Sequence, residues 1–543
     1  MTPEETAIAY HEATKHHFHR SARSLGYMDW ANQPDPFRRY PGAPLVRLPL
    51  HDADNTPPYE SLYTYGSPPR AVTAESMGLF FECSLAISAW KEFQGNRWAL
   101  RCNPSSGNLH PTEGYLVAGP VDGLSGRPAV YHYAPKEHAL EQRTTFEATV
   151  WEDLRGDFPA QAFFAGLASI HWREAWKYGE RAYRYGQHDV GHALAALRLA
   201  ASMLGWNAVL LDALADKTIA RLLGVDRDDG YHEMERESPD AILAVFPANT
   251  AAPFIDVPSF THAVDRIAQG VWLGKANRLS QDHVDWKIIR GVEEVCEKPE
   301  SDPVQVKVVA VPDRTGEHPC GHSALRIIQQ RRSAVAMDGV TSIGRDTFYR
   351  MLHRVVPTCT AVPWDAMPGR PYVHLGIFVH RVEGIAPGLY ALVRDPASLS
   401  SLKAAMNAGF SWVKPQDCPP GLPLYFLEKA DYRQVAMAVS CGQDIASESA
   451  FSLGMIAEFE PVIRECGAWM YRRLFWETGL IGQVLYLEAE AAGIRATGIG
   501  CFFDDPVHEV FGMTGSAFQS LYHFTVGGPV DDLRLTSLPA YSR

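Results

Sequence analysis

An α+β protein assembled from two copies of one domain is what these 543 residues specify. Two observations point there. The length exceeds one ordinary core, since domains usually run to about 100–200 residues. A set of residues also recurs at one fixed spacing, which is the mark of an internal repeat. Tyr183, Arg184, Asp189, Gly191, Ala201 and Gly205 are matched by Tyr471, Arg472, Glu477, Gly479, Ala489 and Gly493, each 288 positions on. No gap is needed to align them.

Both repeated segments read as long helices, amphipathic at first and then buried, each ended by a glycine fit for a left-handed cap. Apolar runs follow them at Ala208 to Leu211 and Ile499 to Phe503. In the first copy, Glu113–Val117, Ala129–Tyr133 and Ala241–Phe246 read as strands. In the second, Val373–His380, Gly388–Val393 and Leu521–Gly527 do so. Helices mixed with a few strands in each half give the α+β class. The expected organisation is an arm over 1–60, a first domain over 61–249, a linker with helices over 250–322 and a second domain over 323–543. The arm is expected to wrap on the first domain, with His11, His16, His17 and His19 on a solvated helix face.

Composition narrows the function. Apolar residues make up 46% and charged residues 21%, as in ordinary globular proteins. The net charge of −13 and the lack of any Lys/Arg block argue against nucleic acid or anionic lipid as a partner. Ala193 to Leu214 is the most apolar stretch, yet it carries Arg198, Asn207 and Asp212. It reads as buried rather than membrane-spanning. Met1 to Tyr10 has neither a basic nor an apolar leader segment. Nine scattered cysteines without a CxxC give no disulfide framework and no zinc spacing, and fit the cytoplasm.

The chemistry is concentrated in Arg101-Cys-Asn-Pro-Ser-Ser-Gly-Asn-Leu-His-Pro-Thr-Glu-Gly-Tyr115. Pro104 and Gly107 bracket Ser105 and Ser106, and Asn108 follows. Such a loop offers backbone N–H groups, hydroxyls and an amide to a ligand rich in acceptors, such as a ribityl-phosphate and a flavin ring. Arg101 adds a planar fork for an oxygen. By composition alone the same stretch is also an ordinary Pro/Ser/Gly turn before a strand.

This stretch resembles the flavin-binding loop of the nitroreductase superfamily, and more narrowly the SagB/ThcOx-type azoline dehydrogenases. The resemblance covers about 61–247 and 323–543. It implies two tandem nitroreductase-like domains forming an intramolecular pseudo-dimer, with FMN in a groove between them. Arg331-Arg332-Ser333 resembles the family segment that holds the ribityl chain and phosphate, with Val335 where a base is usual. Thr497-Gly498-Ile499-Gly500 resembles the strand lying near the flavin edge. Arg534 matches a region that often supplies a phosphate-binding base. The second copy's counterpart of the PSSGN loop is read as Pro357 to Ala361, which has lost the motif. One FMN per chain is therefore expected, built from the loop of the first copy and the RRS and GIG segments of the second.

Lys177-Tyr178 has Glu465-Cys466 at the repeat spacing, so the repeated fold does not demand it. In the azoline dehydrogenases that this sequence resembles, such a pair is tied to catalysis. Oxidation to an azole removes a hydride and a proton, and a lysine or a neighbouring tyrosinate is a base for the proton. A structural lysine beside a core tyrosine is the plainer alternative. His188 and His192 share a helical face without a third ligand at a telling distance, so no metal is expected. Glu477 and Gln483 are read as polar packing across the seam between the copies.

The expected activity is an FMN-dependent dehydrogenase or oxidase acting on a heterocycle or an amino-acid-derived carbon, in a small molecule or a peptide. An NAD(P)H-dependent nitro or quinone reductase and a flavin-free peptide-binding scaffold are the alternatives. A monomer acting as a pseudo-dimer, or a homodimer of such chains, is compatible with the sequence.

Overall fold

A computed structural model describes residues 1–63, 67–227, 232–250, 253–302, 320–357 and 361–541. Two antiparallel sheets dominate. The first runs in the order Leu45–Arg47, Ala139–Thr145, Ala129–Ala134, Thr112–Ala118, Phe163–Ser169, Ser238–Pro247, Trp206–Leu210. The second runs Leu424–Lys429, Gly388–Leu392, Val373–Val379, Phe451–Glu458, Phe518–Gly527, Arg495–Ile499. All six expected strands are found in these sheets, two of them one residue shorter, since His380 and Val393 lie just past the ends of theirs.

Between the sheets lie two helices, Ala182–Met203 and Met470–Ala491, each of 22 residues. They begin 288 positions apart, as do the strands starting at Phe163 and Phe451 and the helices starting at Asp216 and Asp504. Both long helices end before a left-handed glycine, Gly205 (φ 71°) and Gly493 (φ 72°). The apolar stretch from Ala193 is thus divided: a helix to Met203, then a turn, then the strand from Trp206.

The helices cross at the repeated glycines. A Cβ on Gly191 would lie 2.8 Å from the Gly479 Cα and against the Trp476 carbonyl; one on Gly479 would lie 2.7 Å from the Gly191 Cα. Absent side chains therefore let the two backbones touch. Tyr183 stacks with Tyr471, centroids 6.4 Å apart. Two ion pairs repeat the symmetry: Arg184 reaches Asp504 at 2.8 Å, and Arg472 reaches Asp216. Each crosses from one half to the other, and all four side chains are buried.

Three readings of the sequence need correction. The N-terminal helix Pro3–Ala13 does not present a solvated histidine face. His11 is fully buried against Phe459 and Tyr471 of the second half, and His16, His17 and His19 lie beyond the helix. The arm therefore bridges both halves: Tyr10 donates to the Glu180 carbonyl, and Lys15 pairs with Asp505. Glu477 stays within the second half, paired with Arg394 and accepting from the Tyr372 and Val373 N–H groups. Helices Val257–Ala268 and Lys287–Val295 follow the first sheet, and residues 303–319 of the expected linker lie outside the described residues.

The C-terminal segment makes a connection that hydropathy did not suggest. Thr536–Leu538 pairs antiparallel with Ile87–Phe93 of the first half, whose other neighbour is Asn96–Arg101. Trp90 donates to the Ala540 carbonyl and Tyr541 to the Pro135 carbonyl.

Candidate active site

A cavity of about 720 Å³ opens where the two halves meet. Its wall includes Arg101, Pro104, Ser105, Ser106, Gly107 and Asn108 from the first half. Arg331, Arg332, Ser333, Gly498, Ile499 and Gly500 come from the second. Tyr178 also lines it. Segments far apart in the chain are thus brought to one place.

The loop is held in shape by its own polar groups. Asp189 on the first long helix accepts from the Ser106 N–H (3.0 Å) and Oγ (3.2 Å). The Ser105 Oγ accepts from the His110 N–H, and Asn108 donates to the Ala99 carbonyl. Gly107, Asn108 and His110 have φ of 60°, 60° and 53°. Gly107 has a second reason to be glycine. A Cβ there would sit 2.5 Å from the Tyr178 hydroxyl and 3.1 Å from the Lys177 Nζ. The Lys177-Tyr178 pair therefore rests directly on this loop.

Opposite, the Arg331–Ser333 segment lies alongside the strand carrying the glycines. Ser333 bridges to Ala496, and its Oγ meets the Tyr486 hydroxyl at 2.9 Å. That hydroxyl accepts from the Gly498 N–H at 2.8 Å. Arg331 donates to the Arg101 carbonyl and lies over the Tyr486 ring, tying the halves together.

Electrostatics favour an anion. Among the described residues, Arg101, Arg331 and Arg332 have no carboxylate within ion-pair distance. The Nε of Arg101 and of Arg331 are buried without a partner. Burial lowers Arg101 and Arg332 to about 10, against a usual value near 12.5. Three guanidinium groups with spare donors suit a phosphate. A phosphorylated flavin fits this donor set and volume, since ligand cavities commonly measure about 300–1,000 Å³. Val335 lies at the rim and is 71% exposed. Arg534 is not on the wall: its side chain is 74% exposed and pairs with Asp532. Asp531, Asp532, Leu533 and Leu535 around it do line the cavity.

Behind the loop sit two buried acids. Burial raises Asp189 to about 7, against the bonds from Ser105 and Ser106. Glu174 is buried with neither carboxylate oxygen hydrogen-bonded, and burial and the Asp189 charge push it well above the carboxylate range. Burial, with Glu174, Tyr185 and Asp189 nearby, also drives Tyr178 well above 10. These effects favour the neutral phenol at Tyr178. His188 bonds Thr478 at 2.8 Å across the seam, while His192 lines the cavity beside Tyr522. Sequence reasoning missed Lys91, Tyr185, Tyr486, Tyr522 and the neighbours of Arg534 as wall residues, and Glu174 behind the loop. Glu174 had a signal, since it precedes Lys177 and Tyr178 by one helical turn.

The other groove differs. Glu477, the repeat counterpart of Asp189, holds the Tyr372 N–H as Asp189 holds the Ser106 N–H. There a cavity of about 200 Å³ is walled by Trp364, Trp469, Tyr372 and Arg370. Thr358, Cys359 and Thr360 of the expected degraded loop lie outside the described residues.

The fold is a tandem pair of related α+β halves that meet around this cavity. A solved nitroreductase-type protein from Anabaena variabilis superimposes over 97% of this chain and 99% of its own, with a TM-score of 0.70 at 22% identity. The nitroreductase family pattern matches residues 87–234, so the chain carries a nitroreductase-family domain, which supports an oxidoreductase. The nitroreductase-named protein MJ1384 of Methanocaldococcus jannaschii is 29% identical over 128 residues, covering 22% of this chain and 63% of the relative. The trifolitoxin-processing protein TfxB of Rhizobium leguminosarum is 31% identical over 132 residues, covering 23% and 35%. The matched stretch is thus less than two thirds of either curated relative. No helix among the described residues is long and apolar enough to cross a membrane.

Proposed function

We propose that the chain is an FMN-dependent dehydrogenase or oxidase. Its substrate is a heterocycle such as an azoline, or a related amino-acid-derived carbon, carried in a peptide. The observation behind this reading is the composite cavity, with uncompensated guanidinium groups at one side and Lys177-Tyr178 against its loop. Arg101, Arg331 and Arg332 would hold the phosphate, and Ser105, Ser106 and Asn108 the polar groups next to it. When bound, FMN supplies a two-electron acceptor for a hydride. The Lys177 Nζ takes the proton from the adjoining carbon, and the Tyr178 phenol orients the substrate by donating a hydrogen bond. The opposite groove is small and its arginines, Arg370, Arg394 and Arg473, are paired with carboxylates, which supports one flavin per chain. Similarity to a trifolitoxin-processing protein supports a peptide as the carrier.

The test is the absorption spectrum of purified protein, with released flavin identified and counted. About one FMN per chain and oxidation of an azoline peptide are expected. Two FMN per chain would refute the single composite site. Rapid bleaching by NADPH with no azoline turnover would assign a reductase instead. No flavin, even after FMN is added, would leave a scaffold.

A further inference from the structure

Cys441 and Cys501 have no part in the reading above. Cys441 lies in the turn after the helix Arg433–Val439, with φ 57°, and Gly442 follows at 70°. A left-handed cysteine is strained, and such strain gathers where a side chain is being aimed. Cys501 directly follows Gly500, is exposed and lines the large cavity. Their sulfurs are 2.9 Å apart.

The two segments are clamped together. Gln443 donates to the carbonyls of Ser440 (2.8 Å) and Cys501 (2.9 Å). The Phe503 N–H donates to the Val439 carbonyl at 2.8 Å. The Gly500 carbonyl accepts from the Tyr185 hydroxyl at 3.1 Å and from Arg181 at 3.3 Å. Closing a disulfide bond of about 2 Å therefore needs little backbone movement.

The thiols are unequal. The bond from Cys441 and the Arg181 charge pull Cys501 down to about 7, against burial and Asp504. The same contact pushes Cys441 up. Cys83, Cys102 and Cys296 are buried and raised, which makes them inert. Of the described thiols, only Cys501 is lowered.

We propose that Cys441 and Cys501 form a thiol–disulfide exchange site at the cavity rim, with a low-molecular-weight disulfide as substrate. The Cys501 thiolate attacks one sulfur of R–S–S–R; that bond breaks, and one RS⁻ leaves and is protonated by water. The Cys441 sulfur then attacks the Cys501 Sγ of the mixed disulfide. The second RS⁻ leaves and takes the Cys441 proton. Two electrons pass from the cysteine pair to the substrate, giving two thiols. The proposal stands apart from the flavin reading.

The experiment uses the full chain as purified, reduced and then equilibrated anaerobically with glutathione and glutathione disulfide. Free thiols are blocked and a non-reducing tryptic digest is analysed by mass. Expected is a link between peptides 434–464 and 496–534, formed with the loss of two of the nine thiols and reversed by excess glutathione. Cys441→Ser should stop at a glutathione adduct on Cys501. Free Cys501 under glutathione disulfide alone, or a lasting adduct on it in the wild type, overturns the proposal.

Discussion

Substituting Gly191→Ala tests whether the two halves truly close on each other. The added methyl would be 2.8 Å from the Gly479 Cα, whereas ordinary contact begins near 3.4 Å. The helices must then separate by more than about 0.6 Å, because the Trp476 carbonyl is nearer still and both obstacles are backbone. Alanine is the better helix former by roughly 1 kcal/mol. Overpacking of this rigid kind costs up to about 3 kcal/mol. The net expectation is a loss of about 2 kcal/mol, read from the urea midpoint followed by tryptophan fluorescence. Gly479→Ala should cost a similar amount. The double variant should cost less than the two singles together, since the first methyl has already opened the seam. An alanine variant as stable as the wild type, or more so, would refute the close crossing: propensity alone would then have decided the sign.

The cavity yields further expectations. Arg331→Ala removes charge-assisted bonds worth about 1.5–3 kcal/mol, so FMN titration should show roughly a ten- to hundredfold weaker Kd. An unchanged Kd would remove Arg331 from the phosphate. Lys177→Ala should keep flavin bound while azoline oxidation falls by about 10²-fold or more. Turnover at the wild-type rate would end its assignment as the base. Asp189 carries a raised value of about 7, so the folded state keeps a proton that the unfolded state has lost. Its contribution to stability therefore declines as pH rises from about 4 to 7 and is level above. The stability of Asp189→Asn relative to wild type, from urea curves, should climb across that window. A difference independent of pH would mean that Asp189 is ionised throughout.

The tandem architecture was readable because the seam is constrained at single residues. Gly191 and Gly479 must be small, and Arg184 and Arg472 each need an acid from the other half, so the spacing survived in full. The PSSGN loop was readable for a related reason. Its left-handed Gly107 and its hydroxyls are set by local geometry that only a few residue types satisfy. Long-range pairing left weaker marks. Thr536–Leu538 is three residues long, and nothing in its pattern names Ile87–Phe93 as its partner. Arg534 has the right neighbourhood in sequence, yet its side chain turns outward to Asp532. His11 looked like surface, because burial by a distant Tyr471 cannot be read from a helix's own composition. Glu174 is marked in the sequence only by its helical spacing to Lys177 and Tyr178, and that spacing carries no sign of its burial.

The strand Thr536–Leu538 also has a bearing on how the protein is made. Ribosomes work vectorially, at roughly 5–20 residues per second. Arg101 leaves the exit tunnel some 20–90 s before that strand, so the first half must wait with its Ile87–Arg101 hairpin edge unpaired. During that interval the loop exists but its pocket does not. A ligand that needs both walls can therefore bind only once the second half has been made, and the waiting hairpin edge is the place where a nascent-chain chaperone would be needed most.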